Sequence, residues 1–212
     1  MTTRRQFTRL LGTAAGLALA APGLRAQPVE GTHYQRLAVP QPTRDPKRIE
    51  VLEFFAYSCH HCHDLEPALE AWRKKLPADV LFRRVPVAFR EDLVVHNALY
   101  FALEALNLLD RVHGKVFEAV HASRTGLKSP AEIGAFLQAQ GVAPEPVLQA
   151  MQSFAVSSRV KQALEQANNY AIEGTPTLAV DGRWVTDGGM AGSNVASLAV
   201  AGHLIGIARS RR

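Results

Sequence analysis

Cysteine is nearly absent from this sequence, with two in 212 residues. That excludes a small scaffold stapled by disulfides, so the core must hold by burial alone. A strong charge of one sign is also missing. Lys and Arg number 24 against 19 Asp and Glu. Arg4, Arg5, Arg9 and Arg25 lie in residues 1–26, where there is no acid, and the rest of the chain balances at 20 against 19. A near-neutral body gives no reason to expect nucleic acid or an anionic membrane as a partner. No repeats or low-complexity tracts occur. The apolar stretch Leu10–Ala21 is too short for the roughly 20 residues of a membrane-spanning helix.

What is present begins with residues 1–26. They combine a basic start, an apolar middle and a small residue suited to cleavage, Ala26 or else Ala20. That is the pattern of a signal peptide, with a short membrane anchor as the alternative. Thr3-Arg4-Arg5-Gln6-Phe7 resembles a twin-arginine export signal, and Sec export fits equally. Export predicts a compartment in which disulfides persist. The 186 residues that follow suit one domain, or one domain with an insertion.

Along those residues the pattern alternates. Residues 27–48 read as a Pro-rich arm with a short strand near 34–39. Residues 49–56 read as a buried strand, 59–76 as a helix kinked at Pro67, and 80–87 as a second strand. Pro86 places the end of that strand at an edge or a bulge. From Glu91 to about Tyr170 the periodicity is helical. Residues 177–186 read as a hairpin around Asp181-Gly182, and 192–207 as a final helix. The result is an α/β fold with a helical insertion.

The two cysteines are three apart, in Cys59-His60-His61-Cys62, at a strand-to-helix turn. At that spacing they share one helix face and can bridge. Thiolate is the reactive form, and the partial positive charge of a helix N-terminus favours it. Cys59, at the helix start, is therefore expected to attack and leave, and Cys62, a turn deeper, to resolve. His60 and His61 can donate a hydrogen bond or a positive charge to the Cys59 thiolate. Glu53 interrupts an apolar strand. Buried there it should have a raised pKa and could exchange a proton with Cys62; on a strand with one wet side it would simply face solvent. Gly174-Thr175-Pro176-Thr177 precedes the hairpin, a setting compatible with a cis proline.

Together, the Glu-Phe-Phe run leading into C-x-H-C, Pro67 five residues after Cys62, and the late Gly-Thr-Pro-Thr resemble the thioredoxin superfamily. The helical block between the two halves resembles its DsbA branch, the periplasmic thiol:disulfide oxidoreductases. The resemblance spans residues 45–208. It implies a thioredoxin fold with an inserted helical subdomain. Residues 49–90 would form the first part, 91–157 the helical insertion and 158–212 the second part with its cis-proline loop. It implies Cys59 as nucleophile, His61 as stabiliser of its thiolate and Glu53 as the buried acid. Thr175 and a cis Pro176 would lie against the disulfide and pair with substrate backbone. The implied substrates are unfolded exported proteins, held loosely through an apolar groove. The implied reoxidising partner is a DsbB-like, quinone-linked membrane oxidase. No cofactor beyond the Cys59–Cys62 disulfide and no metal are expected. Only about twenty residues precede the core, too few for the dimerisation module of periplasmic isomerases, so a monomer is expected. His60 departs from the best-known members, which have proline there, and its effect on redox poise could run either way.

Three alternatives stay open. The same fold serves disulfide reductases and isomerases. Cys59-His60-His61-Cys62-His63 also fits the C-x-x-C-H attachment pattern of c-type haem, with His63 as axial ligand. Zinc or copper held by the thiolates and histidines is the third. Elsewhere, His33, His96, His113, His121 and His203 read as surface or core-edge groups, and Trp72 and Trp184 as packing or groove-lining. Arg83-Arg84 reads as a solvated strand end. Leu99, Phe101 and Leu103 suit either the core or the groove.

Overall fold

The computed structural model describes residues 27–212. The export signal expected over residues 1–26 lies outside the described residues. Five strands form one sheet. They are β1 (Gln35–Arg36), β2 (Ile49–Phe55), β3 (Val80–Pro86), β4 (Thr177–Val180) and β5 (Trp184–Asp187), in the order β1-β5-β4-β2-β3. Only β2 and β3 run parallel. All seven residues of β2 are buried, as its near-continuous apolar sequence requires. β3 is an edge strand, which explains how Pro86 is tolerated at its end.

The β4–β5 hairpin turns on Asp181 and Gly182, with φ of 54° and 64°. Two consecutive positive φ values make the primed turn whose twist suits a hairpin. Gly182 is needed for space as well, since a Cβ there would lie 2.0 Å from the Gln41 carbonyl oxygen. The strand expected near 34–39 shrinks to the two residues of β1. Pro40 and Pro42 have no N–H with which to extend the ladder.

Eight helices are described. α1 (His60–Arg73) joins β2 to β3. α2 (Val94–Ala105), α3 (Leu109–His121), α4 (Pro130–Ala139), α5 (Pro144–Gln152) and α6 (Phe154–Asn169) form the block between β3 and β4. The short α7 (Gly188–Ala191) and the long α8 (Asn194–Ser210) close the chain. Local chemistry sets the starts. Ser129 and Glu132 form a reciprocal capping box at α4, with Pro130 in the first turn.

The alternation of β2 divides the interior in two. Ile49 and Val51 pack with Leu65 and Leu69 of α1 and with Leu198, Leu204 and Ile205 of α8. Leu52 and Phe54 pack with Leu99, Leu103, Phe117, Ile133 and Leu137 of the helical block. Leu99, Phe101 and Leu103 are thus core residues and line no groove. The sheet is covered on both faces, and the end of β2 is carried directly into α1.

Candidate active site

β2 stops at Phe55. The Cys59 N–H donates to the Ala56 carbonyl at 3.0 Å, closing a tight turn into α1. Cys59 is the helix N-cap, with extended backbone at φ −88° and ψ 115°. Cys62, Leu65 and Leu69 form the buried stripe of α1 and pull the second cysteine inward. Both cysteines are free thiols in this structure, Cys59 half-buried and Cys62 fully buried.

The two sulfurs differ sharply in acidity. Cys59 is lowered to about 5. The largest cause is the hydrogen bond from the Cys62 thiol, which favours the Cys59 thiolate. Partial burial opposes it, while the Thr175 side chain and the N–H groups of Cys62 and His61 add to it. Cys62 moves far upward, because it is the donor of that bond. Burial and the negative charges of Cys59 and Glu53 push it further the same way. One thiol is ready to ionise and the other holds its proton.

A loop from the far end of the chain completes the site. The Thr175–Pro176 peptide bond is cis. The Cys59 thiol donates to the Thr175 carbonyl at 3.2 Å. Thr177 Oγ1 donates back to the Gly174 carbonyl at 2.9 Å and fixes the approach to β4. The structure therefore brings Cys59, Cys62, Thr175 and Pro176 together. His60 and His61 are exposed beside them, their rings tilted against each other with 4.1 Å between centroids. Cys62 lies fully buried behind Cys59.

Glu53 is completely buried on the interior strand β2, so the solvent-facing alternative fails. Its carboxyl is raised to about 7, chiefly by burial. Arg84 opposes that rise and the neighbouring charges of Glu66 and Glu70 reinforce it. The parallel register sets Glu53 beside Arg84, whose Nε donates to Glu53 Oε2 at 2.8 Å. Arg84 Nη2 also donates to Glu66 at 2.7 Å and Glu70 at 2.9 Å.

Several expectations need correction here. Arg83 and Arg84 are not a solvated strand end. Arg83 pairs with buried Glu50 at 2.9 Å, and Arg84 is the centre of a carboxylate cluster. Two acids on β2 answered by two bases on β3 were the sequence signal for this. His96 and His113 are buried, not at the surface. His96 Nε2 bonds the Gly126 carbonyl and His113 Nδ1 bonds the Tyr57 hydroxyl at 2.7 Å. His121 donates to the Tyr57 carbonyl at 2.8 Å, so one face of α3 grips Tyr57 at both ends, two residues before Cys59. The cleft beside the cysteines has a mixed polar and apolar lining. About 510 Å³ in volume, it is lined by His61, Thr175, Pro176, Asp187, Ser193 and Asn194 with several glycines.

With this geometry in hand, known proteins are informative. Residues 50–198 match the family described as the DSBA-like thioredoxin domain. The thiol:disulfide interchange protein DsbA of Burkholderia cepacia is 41% identical over 177 residues, covering 83% of this chain and 82% of that protein. Its Bordetella pertussis counterpart is 40% identical over 202 residues, covering 94% and 95%. The crystal structure of Pseudomonas aeruginosa DsbA superposes with a TM-score of 0.83 at 37% identity, covering 86% of this chain and 95% of that one. The chain belongs to the DsbA-like thioredoxin family and is a thiol:disulfide oxidoreductase.

Proposed function

We propose that this chain is a periplasmic dithiol oxidase that introduces disulfides into exported proteins as they fold. The acidity difference between Cys59 and Cys62 is the observation that carries the reading. A thiolate that is stable when reduced makes its disulfide oxidising and leaves readily, the property for which DsbA itself is known. In the oxidised enzyme a substrate thiolate attacks Cys59 Sγ and breaks the Cys59–Cys62 bond. Cys62 leaves and takes up a proton, which Glu53, raised to about 7, is suited to supply. A second substrate thiol, deprotonated, attacks the substrate sulfur of the mixed disulfide and expels Cys59 as thiolate. The substrate gains one disulfide and the enzyme holds the two electrons.

The Thr175–Pro176 backbone pairs with the extended substrate beside Cys59. His61 supports the Cys59 thiolate, and His60 tunes the poise. The site needs no cofactor beyond the two sulfurs. The enzyme works as a monomer outside the cytoplasm, reached through a Sec or twin-arginine signal. A DsbB-like membrane oxidase, passing electrons to quinone, restores the disulfide. A reductase of the same fold is the alternative, and redox poise separates the two. The test is oxidation of a reduced, unfolded two-thiol protein by the purified disulfide form. Cys59→Ser should abolish turnover, and Cys62→Ser should accumulate the mixed disulfide. Full activity in Cys59→Ser would overturn the mechanism.

A further inference from the structure

We infer that His60, His61 and Asp64 form a surface site for a divalent transition metal, for which zinc is the probe. Among the described residues, one group of three such side chains converges, and it is this one. Its available ligand atoms all lie within 4.8 Å of one another. His60 Nε2 and Asp64 Oδ2 are 3.6 Å apart, one helical turn removed on the same face. Two ligands about 2.0–2.1 Å from a tetrahedral zinc sit roughly 3.3 Å from each other, so this pair is already close to bite distance. The His61 ring lies against the His60 ring, 4.1 Å between centroids and 37° between planes. All three side chains are exposed, so small rotamer changes bring in the third ligand without disturbing the fold.

The donor set suits the ion. Two imidazoles and a carboxylate with a fourth position open is an arrangement zinc accepts readily. The partial positive charge at the start of α1 opposes a cation, and the exposed ligands are not held by neighbours. Both keep the site reversible. This differs from a site made of the two thiolates, because Cys62 is buried and takes no part.

Position gives the site its consequence. His61 lines the cleft with Thr175 and Pro176, so the ion would stand at its mouth. Cys59 lies outside the three-ligand group, but it precedes His60 and gains a negative charge only after reduction frees its sulfur from Cys62, which places an anion next to the ion. The reduced form should therefore bind zinc more tightly. By linkage, zinc then favours the reduced form. The site does not depend on the direction in which the enzyme works.

The test is calorimetric titration of untagged protein with zinc in each redox state. Oxidised wild type should bind one ion per chain. His60→Pro, tolerated because residue 60 is the first position of α1, and Asp64→Asn should each weaken it by at least about tenfold, the effect typical of disturbed ligation. Reduced wild type should bind more tightly than oxidised. Asp64→Asn should retain its thiol–disulfide exchange rate, since Asp64 has no part in that chemistry, which also shows that it is folded. Absence of saturable binding in the oxidised form would overturn the site. So would equal affinity in both variants, or binding confined to reduced protein and indifferent to Asp64→Asn.

Discussion

Cys59 and Thr175 stand 116 positions apart in sequence, yet the Cys59 sulfur lies 3.2 Å from the Thr175 carbonyl oxygen. This contact joins the two halves of the thioredoxin fold at the reacting atom. It puts Cys59, the proposed nucleophile, against the backbone of the loop proposed to pair with an extended substrate. The helical block contributes nothing to the contact itself, but α3 holds Tyr57, and with it the strand end from which Cys59 projects.

Cys62 is the main support of the Cys59 thiolate, so altering it should move the Cys59 titration. Wild-type reduced protein should develop its thiolate absorbance at a pH of about 5. Cys62→Ala removes the donor and should raise that midpoint. Cys62→Ser keeps a hydroxyl donor and should raise it less. Over the range in which Cys59 is ionised and Cys62 is not, reduction takes up one proton for two electrons. The potential should then fall by about 30 mV per pH unit, steepening to about 60 mV below the Cys59 midpoint.

Glu53 should oppose folding stability as pH rises. Its carboxyl is raised in the fold, so the folded chain binds its proton more tightly than the unfolded chain does. The group is neutral in both states below about pH 4.5, and its unfavourable contribution grows as pH climbs towards about 7. Replacement by Gln removes that dependence. Denaturant titrations should show Glu53→Gln gaining on wild type between these limits by on the order of 3 kcal/mol, at about 1.4 kcal/mol per pKa unit.

Arg84 holds Glu53, Glu66 and Glu70 together. Arg84→Met leaves three carboxylates without their shared cation. The expected loss is about 3–5 kcal/mol, the size of a broken buried ion pair. The Glu53 carboxyl should also rise further. A fall below 1 kcal/mol in urea unfolding at neutral pH would show that the cluster re-pairs without it.

Tyr57→Phe tests the grip of α3 on the active-site strand. It leaves His113 Nδ1 buried without its partner while keeping the ring. The expected destabilisation is about 1–3 kcal/mol, the usual penalty for one buried polar group left unpaired. Hydrogen exchange at Cys59 and Ser58 should quicken as well.

Features that rest on neighbouring residues were legible in the sequence. The cysteine turn, the edge position of Pro86 and the Asp181-Gly182 hairpin each follow from local chemistry, and each stands as expected. What escaped is tertiary. Glu53 was visible as an odd acid in an apolar strand, but its partner Arg84 lies 31 residues away and is set beside it only by the parallel register. Tyr57 and His113 are 56 apart and meet only because α3 packs over the end of β2. Nothing local says either that residues 187–194 fold back to line the cleft with Thr175 and Pro176.

The most direct measurement is the equilibrium of the purified protein with a glutathione series, read by thiol labelling. A dithiol oxidase with a stabilised Cys59 thiolate should give a potential of roughly −120 to −180 mV, the range spanned by DsbA and protein disulfide isomerase themselves. A value near thioredoxin's, about −270 mV, would contradict the account and make the chain a reductant built on the same fold.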